Sequence, residues 1–415
     1  SSVFRYKGKE TDAQTVGREL GVQAVLTGRV VQRGDDLSIS VELVDTRDNS
    51  HIWGEQYNRK LSELLSLHLE ISRQVSDKLR VPLTGQEEKQ VTKSYTQNPE
   101  AYQLFLKGRY FMERRTKEYI ARSVKYFQQA TEKDPSYALA YAELANAYAY
   151  LGDYEEVSPR ENYLNIKSAV TKALEIDSTL GEAHAHLGEL LHMYEWDWTG
   201  AEREFKTALE LNPNYAETHH IYSHYLMQRG RVAESLVASK RNLELDPLST
   251  ATNLHLGWHY LAARQYDQAI EQERKTLEMD PNYARAYVYL AEAYEQKGML
   301  GEAVEAYLKH KMLDGASPEE IVALKAAYAS GGIRGYWQKA LELELERSKS
   351  KNVAPYSIAV IYGKLGEKEK ALEMLEKAYA DHSTLLVDLN LEFAFDGMRS
   401  DPRFKDLVRR VGLPE

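Results

Sequence analysis

Three prolines set the frame for this chain: Pro213, Pro247 and Pro281 are separated by 34 residues each time. A second series, Gly230, Gly298, Gly332 and Gly366, falls at one or two multiples of the same period, and Arg264 stands in the slot where a glycine is missing. Self-similarity at a fixed period of this length means that one supersecondary unit is stacked many times, because no single unit can bury its own apolar face. Around each proline the text is nearly constant: ALELNPNYAE, NLELDPLSTA and TLEMDPNYAR, preceded by ATEKDPSYAL and by ALEIDSTLGE, where Ser178 replaces proline.

Each unit reads as two helices. The first carries an apolar residue, a small one, then an aromatic or apolar one at helical spacing, as in Leu187, Gly188, Leu191 or Leu290, Ala291, Tyr294. The small residue predicts a close approach of the next helix. A glycine in the turn supplies the positive φ that ends the first helix. An Asp-Pro pair closes the unit, because the residue before proline is driven out of the helical region and proline suits the first position of the next helix.

These residues resemble the tetratricopeptide repeat family over roughly 97–380. The resemblance implies a mainly α fold, a right-handed superhelical solenoid of helix pairs, here with a small α+β segment before it. Eight units are expected, starting near Asn98, Ala138, Gly181, Ala216, Thr250, Ala284, Pro318 and Asn352. The first has a stretched turn at Glu113–Lys117, the second an insertion at Val157–Tyr163, and the seventh is degenerate around Ser330–Tyr336. After Asp381 the pattern changes, and the stripe Phe404, Leu407, Val408, Val411 predicts capping helices over 381–415 that cover the last unit.

Before the repeats, residues 23–33 and 37–45 alternate apolar and polar across Arg33-Gly34-Asp35-Asp36, a hairpin pattern, with a third strand from His51. Helices are expected at Asp12–Leu20 and along the face Leu61, Leu64, Leu65, Ile71, Val75, Leu79. The run from VGRELGVQAVLTGRVVQRGDD to HIWGEQYNRKL resembles the TolB N-terminal-like domain, so 1–95 is expected to be a partial copy of it ending in a linker helix. In that family a further strand and helix come first, so Ser1 reads as the start of a fragment and the sheet as short of a strand. The resemblance implies a tail attached to a bacterial serine/threonine kinase, nucleotide cyclase or winged-helix regulator, and fixes neither side of a membrane.

Composition removes several function classes. The chain has no cysteine, which excludes disulfides, thiolate metal sites and cysteine nucleophiles. Net charge is −10 with no concentrated basic stretch, so direct nucleic-acid binding is not expected. No apolar run reaches the length of a membrane span. No phosphate loop, G-x-S-x-G elbow, H-E-x-x-H helix or kinase signature occurs, so no enzymatic activity and no cofactor are expected.

What remains is partner binding. In the tetratricopeptide family the second, fifth, ninth and twelfth residues of each unit line a concave groove. Carried onto this chain, the rule selects Glu189 and His192 from unit three, and Glu217, His220, His224 and Met227 from unit four. From units five and six it selects Leu254, Trp258, Leu261, Arg285 and Glu292. Such a groove suits a protein or peptide with apolar and basic side chains, and Trp258 is the natural hot spot. The slots that clamp a carboxylate terminus in some family members match here only at Asn146. His184, His186, His192, His219, His220, His224, His255 and His259 cluster on three successive first helices. The spacing of His220 and His224, four apart, also admits a small-ligand or metal sensor, while His184 and His219 stand where other units carry Tyr141 and Tyr287 and read as packing residues.

Overall fold

A computed structural model describes residues 6, 11–79, 93, 95–113, 116–152, 159–349 and 353–414. The middle of the first unit's turn, the start of the second unit's insertion and the first residue of the eighth unit lie outside the described residues. The chain divides into two bodies, residues 1–183 and 184–415.

The first body opens with α1 (Ala13–Leu20), whose N-cap Asp12 accepts from the Thr15 amide at 2.9 Å. Three antiparallel strands follow, β1 (Ala24–Arg33), β2 (Asp36–Asp45) and β3 (His51–Lys60), in the order β1-β2-β3. Alternation puts Ile39, Leu43, Trp53 and Tyr57 on one face, where they pack with Leu67, Ile71 and Val75 of α2 (Leu64–Leu79). β1 is the outer strand, and its Leu26 and Val30, paired with Leu43 and Ile39, stay exposed. Two helix pairs follow, α3 (Pro99–Met112) with α4 (Lys117–Lys133) and α5 (Ala138–Gly152) with α6 (Pro159–Ile176). Phe105 meets Phe127 and Tyr137 at ring-centroid distances of 5.7 and 5.1 Å, and Gly108 leaves room for the Phe127 ring.

The second body continues the same construction. α7 (Gly181–Leu190) ends in a wider turn, Leu191–Glu195, and pairs with α8 (Trp198–Leu211). α9 (Ala216–Gln228) and α10 (Val232–Leu245), α11 (Thr250–Ala262) and α12 (Tyr266–Met279), then α13 (Ala284–Gln296) and α14 (Leu300–Leu313) form three regular pairs. Their turns carry Gly230, Arg264 and Gly298 at φ 73, 61 and 74°, so the arginine adopts the left-handed conformation that glycine supplies elsewhere. The degenerate seventh unit is one run, α15 (Pro318–Arg347), broken only at Gly332 (φ 59°, ψ −155°). α16 (Pro355–Leu365) and α17 (Lys368–Ala380) form the last pair.

The small-residue slot works by close approach. A Cβ on Gly188 would lie 2.8 Å from the Phe205 ring, and one on Gly257 only 2.0 Å from Glu273 Oε1. A second repeat-periodic contact fixes each first helix to the preceding proline: His219 Nε2 donates to the Pro213 carbonyl at 2.8 Å, Asn253 Nδ2 to that of Pro247 at 3.0 Å and the Tyr287 hydroxyl to that of Pro281 at 3.0 Å.

After Asp381 the chain runs through the short turns Thr384–Asp388 and Phe393–Met398 into α18 (Pro402–Val411). Phe404, Leu407, Val408 and Val411 are buried in one core with Tyr356, Ala359 and Leu375 of the last pair. That core extends, unlike a simple end cap, to Trp198, Phe205, Tyr222 and Tyr225 of the third and fourth units. Directional bonds fix the contact: Trp198 Nε1 donates to the Val411 carbonyl (2.8 Å), Arg229 to that of Gly412 (2.8 Å), Gln228 to Asp388 (2.9 Å) and Arg264 to both Asp396 oxygens (2.8 Å each).

Candidate functional site: an imidazole and indole patch on the inner helices

The C-terminal segment engages the ends of α9 and α11 through Gln228, Arg229 and Arg264, and the expected groove positions differ in how far they are covered. Met227, Leu254 and Leu261 are 0, 1 and 2% exposed, so they are core and not open groove surface. His192 is likewise buried, ringed by Trp198, Phe205 and Tyr225, each 5.9 Å away between centroids. Burial pushes its imidazole down to about 4, with the Gly188 carbonyl and Gln228 opposing. The groove rule takes no account of what covers a position, and these four side chains are buried.

On the same helices, other inner side chains are only partly covered. His220 and His224 of α9 and His255 of α11 come together there, with ring centroids 4.3 to 5.0 Å apart. His224 Nε2 lies 3.2 Å from His255 Nδ1, and Glu217 accepts from His220 Nδ1 at 3.0 Å. Trp258 stacks on His224 at 4.5 Å with planes 24° apart, and His259, buried below, donates through Nδ1 to the His255 carbonyl at 2.5 Å. Burial first, then the neighbouring imidazoles, holds His224 and His255 well below the usual histidine range, and His259 at about 4. These three rings are therefore neutral near pH 7, poised as hydrogen-bonding or ligating groups and not as cations.

The remaining expected positions flank the patch. Glu189 is partly buried, with its carboxylate 3.4 Å from His186 Nδ1. Arg285 is exposed, and its charge is one of the influences that depress His255. Glu292 is partly buried and raised to about 8, by burial and then by Glu392, with Lys364 opposing. Close by, Lys364 Nζ (2.9 Å), the Tyr307 hydroxyl (2.8 Å) and Trp337 Nε1 (3.1 Å) all donate to Glu295. His184, expected to pack, bonds Glu204 at 2.7 Å, and His219 makes the proline contact already described.

His255 was outside the groove rule because it is the sixth residue of its unit, one beyond the slot that holds Leu254. Only the density of histidine on successive first helices pointed to it.

Family models for the tetratricopeptide repeat match residues 126–157, 254–320 and 356–380. The chain is thus a helical repeat protein, and over those segments its helix pairs match the tetratricopeptide repeat. Among characterised sequences it is 28% identical over 186 residues to "Putative adenylate cyclase 3" of Rhizobium meliloti (strain 1021), a match covering 44% of this chain and 32% of that one. The chain therefore spans about a third of the length of that relative. Among solved structures it is similar to PilW, a widely conserved type IV pilus biogenesis factor, at 21% identity and TM-score 0.41, covering 52% of this chain and 95% of that one. It is also similar to an IFIT1 monomeric mutant with Gppp-AAAA, at 16% identity and TM-score 0.47, covering 76% of each chain. Among the described residues, no helix is long and apolar enough to cross a membrane.

Proposed function

We propose that the repeats are a non-catalytic docking scaffold, and that the partly open patch around Trp258 receives an extended segment of a partner protein. The observation that carries this reading is the stacked Trp258 and His224 pair, 4.5 Å apart, left half-covered on the inner helices while the positions around it are sealed. A half-exposed indole with hydrogen-bonding imidazoles beside it presents a flat apolar face and a polar rim, the makeup of an interface hot spot. Glu189 on the preceding unit's first helix and Arg285 on the following one add side chains of opposite sign to the neighbourhood of the patch. A segment with an apolar side chain over Trp258 and a basic residue toward Glu189 fits it.

On this reading the chain is the interaction part of a bacterial signalling protein, including the segment that resembles the TolB N-terminal-like domain. Its support is the partial match to a relative described as an adenylate cyclase, together with the resemblance stated above.

The test is capture of partners by the whole chain and by a Trp258→Ala variant of matched stability. A partner held by the parent and lost by the variant, with weakening of at least tenfold (about 1.4 kcal/mol), supports docking on the patch. Equal capture by both places recognition elsewhere on the molecule.

A further inference from the structure

We propose that His220, His224 and His255 form a binding site for one divalent cation of the zinc class, three imidazoles from two adjacent repeats with a fourth position left for solvent or a ligand. This does not rest on the partner-binding reading.

The geometry comes first. One ligand nitrogen from each histidine lies within 4.8 Å of the other two. A tetrahedral centre with metal to nitrogen bonds of about 2.0 to 2.1 Å sets its nitrogens about 3.4 Å apart. His224 Nε2 and His255 Nδ1, at 3.2 Å, already meet that spacing. The remaining pairs need to close by at most about 1.4 Å, within reach of a side-chain rotation.

The surroundings are arranged as ligand supports. Glu217 accepts from His220 Nδ1 at 3.0 Å, which orients the ring and leaves Nε2 as the atom to meet a cation, the usual role of a carboxylate behind a metal-bound histidine. The Trp258 ring stacked on His224 limits that imidazole's rotation. His255 is held through its own backbone, whose carbonyl accepts from His259. All three residues are partly, not fully, buried.

The repeat itself does not call for these residues. In the adjoining units the slots of His220 and His255 hold Leu254 and Val288, and Ile221 and Tyr289. Apolar side chains thus satisfy the packing there. Three imidazoles with no thiolate and no carboxylate in the first ring of ligands favour Zn2+, Co2+, Ni2+ or Cu2+ over the oxygen-seeking Mg2+ and Ca2+. A bound cation would tie α9 to α11 across the repeat boundary.

The experiment uses the full chain without an affinity tag, stripped with a chelator and titrated with ZnCl2, with binding followed by calorimetry and metal content by elemental analysis. One saturable equivalent is expected, with a rise in the thermal transition. Co2+ is expected to give the intense visible bands of a four-coordinate centre. His224→Gln and His255→Gln, on different helices, are each expected to weaken Zn2+ binding more than a hundredfold, and Glu217→Gln by about tenfold. His219→Gln, a histidine outside the trio, leaves binding unchanged. Circular dichroism shows which variants fold, and either of the two ligand variants suffices. Absence of saturable binding, binding indifferent to both ligand substitutions, or an octahedral Co2+ spectrum overturns the proposal.

Discussion

At the scale of single residues, the repeat is most informative where it is broken. Arg264 occupies the glycine slot at φ 61°, a conformation that costs a non-glycine residue about 1 kcal/mol, and offsets this with Asp396 and the Phe393 ring beneath its guanidinium. The ion pair is half-exposed and contributes at most about 1 kcal/mol. Arg264→Gly is therefore expected to stay within about 1 kcal/mol of the parent, and Arg264→Ala to be less stable than Arg264→Gly by about 1 kcal/mol, measured by urea unfolding. Equal stability of the two variants refutes the backbone argument. Glu273 is the other irregularity: it is fully buried against Gly257, neither carboxylate oxygen has a hydrogen-bond partner among the described residues, and burial holds it well above its ordinary value of 4.5. Equivalent slots hold Phe205, Tyr307 and Leu375. A carboxyl raised in the folded state stabilises most below its unfolded pKa, and that contribution is lost as pH climbs through the raised value. Glu273→Leu should accordingly gain on the parent as pH rises above about 4.5, by on the order of 1 to 4 kcal/mol once the carboxyl ionises. Unfolding midpoints compared at about pH 5 and pH 8 would show the gap widening; a constant gap excludes a titrating Glu273.

At the scale of elements, the chain was largely legible because each signal had a local cause. Gly230, Gly298 and Gly366 mark the turns by their positive φ, and the alternation of Ile39, Val41 and Leu43 marks the hairpin. The slot holding Gly188 sits beneath Phe205, so Gly188→Ala should force the ring to shift and destabilise the third pair by roughly 1 to 3 kcal/mol, read from its thermal transition. The corresponding change at Gly301, with no atom near the added methyl, should leave stability within about 0.5 kcal/mol of the parent or above it. Two elements were not legible in this way. The seventh unit keeps two helical stretches within Pro318–Arg347 that meet at a sharp kink at Gly332. The wide turn at Leu191–Glu195 is set by Trp196 at φ 54° and by Asp197, which caps α8 through the Gly200 amide at 2.9 Å. Neither has a counterpart in the other units.

At the scale of the whole molecule, the candidate site was half legible. Periodicity selected His220, His224 and Trp258 from helix phase, and the structure leaves these three partly buried. It selected Met227, Leu254 and Leu261 for the same reason, and these are buried, because periodicity gives the phase of a helix position but not the contacts, some far away in sequence, that cover it. The segment after Asp381 is the clearest of these. Its removal from residue 384 onward uncovers Trp198 and Tyr356. The truncated chain is expected to lose more than about 3 kcal/mol of stability in the second body and to bind a hydrophobic dye, in equilibrium unfolding and fluorescence measurements respectively. Unchanged stability would mean that the segment merely rests on the repeats.

Most stacked-repeat proteins can gain or lose a unit at modest cost, because each unit touches only its neighbours. Here Val411 and Gly412 must reach Trp198 and Arg229 while Asp396 reaches Arg264. A duplication of 34 residues anywhere between those anchors would separate partners that now meet. In this chain the tail counts the repeats, and lineages that copied or dropped one would have had to rebuild the tail at the same time.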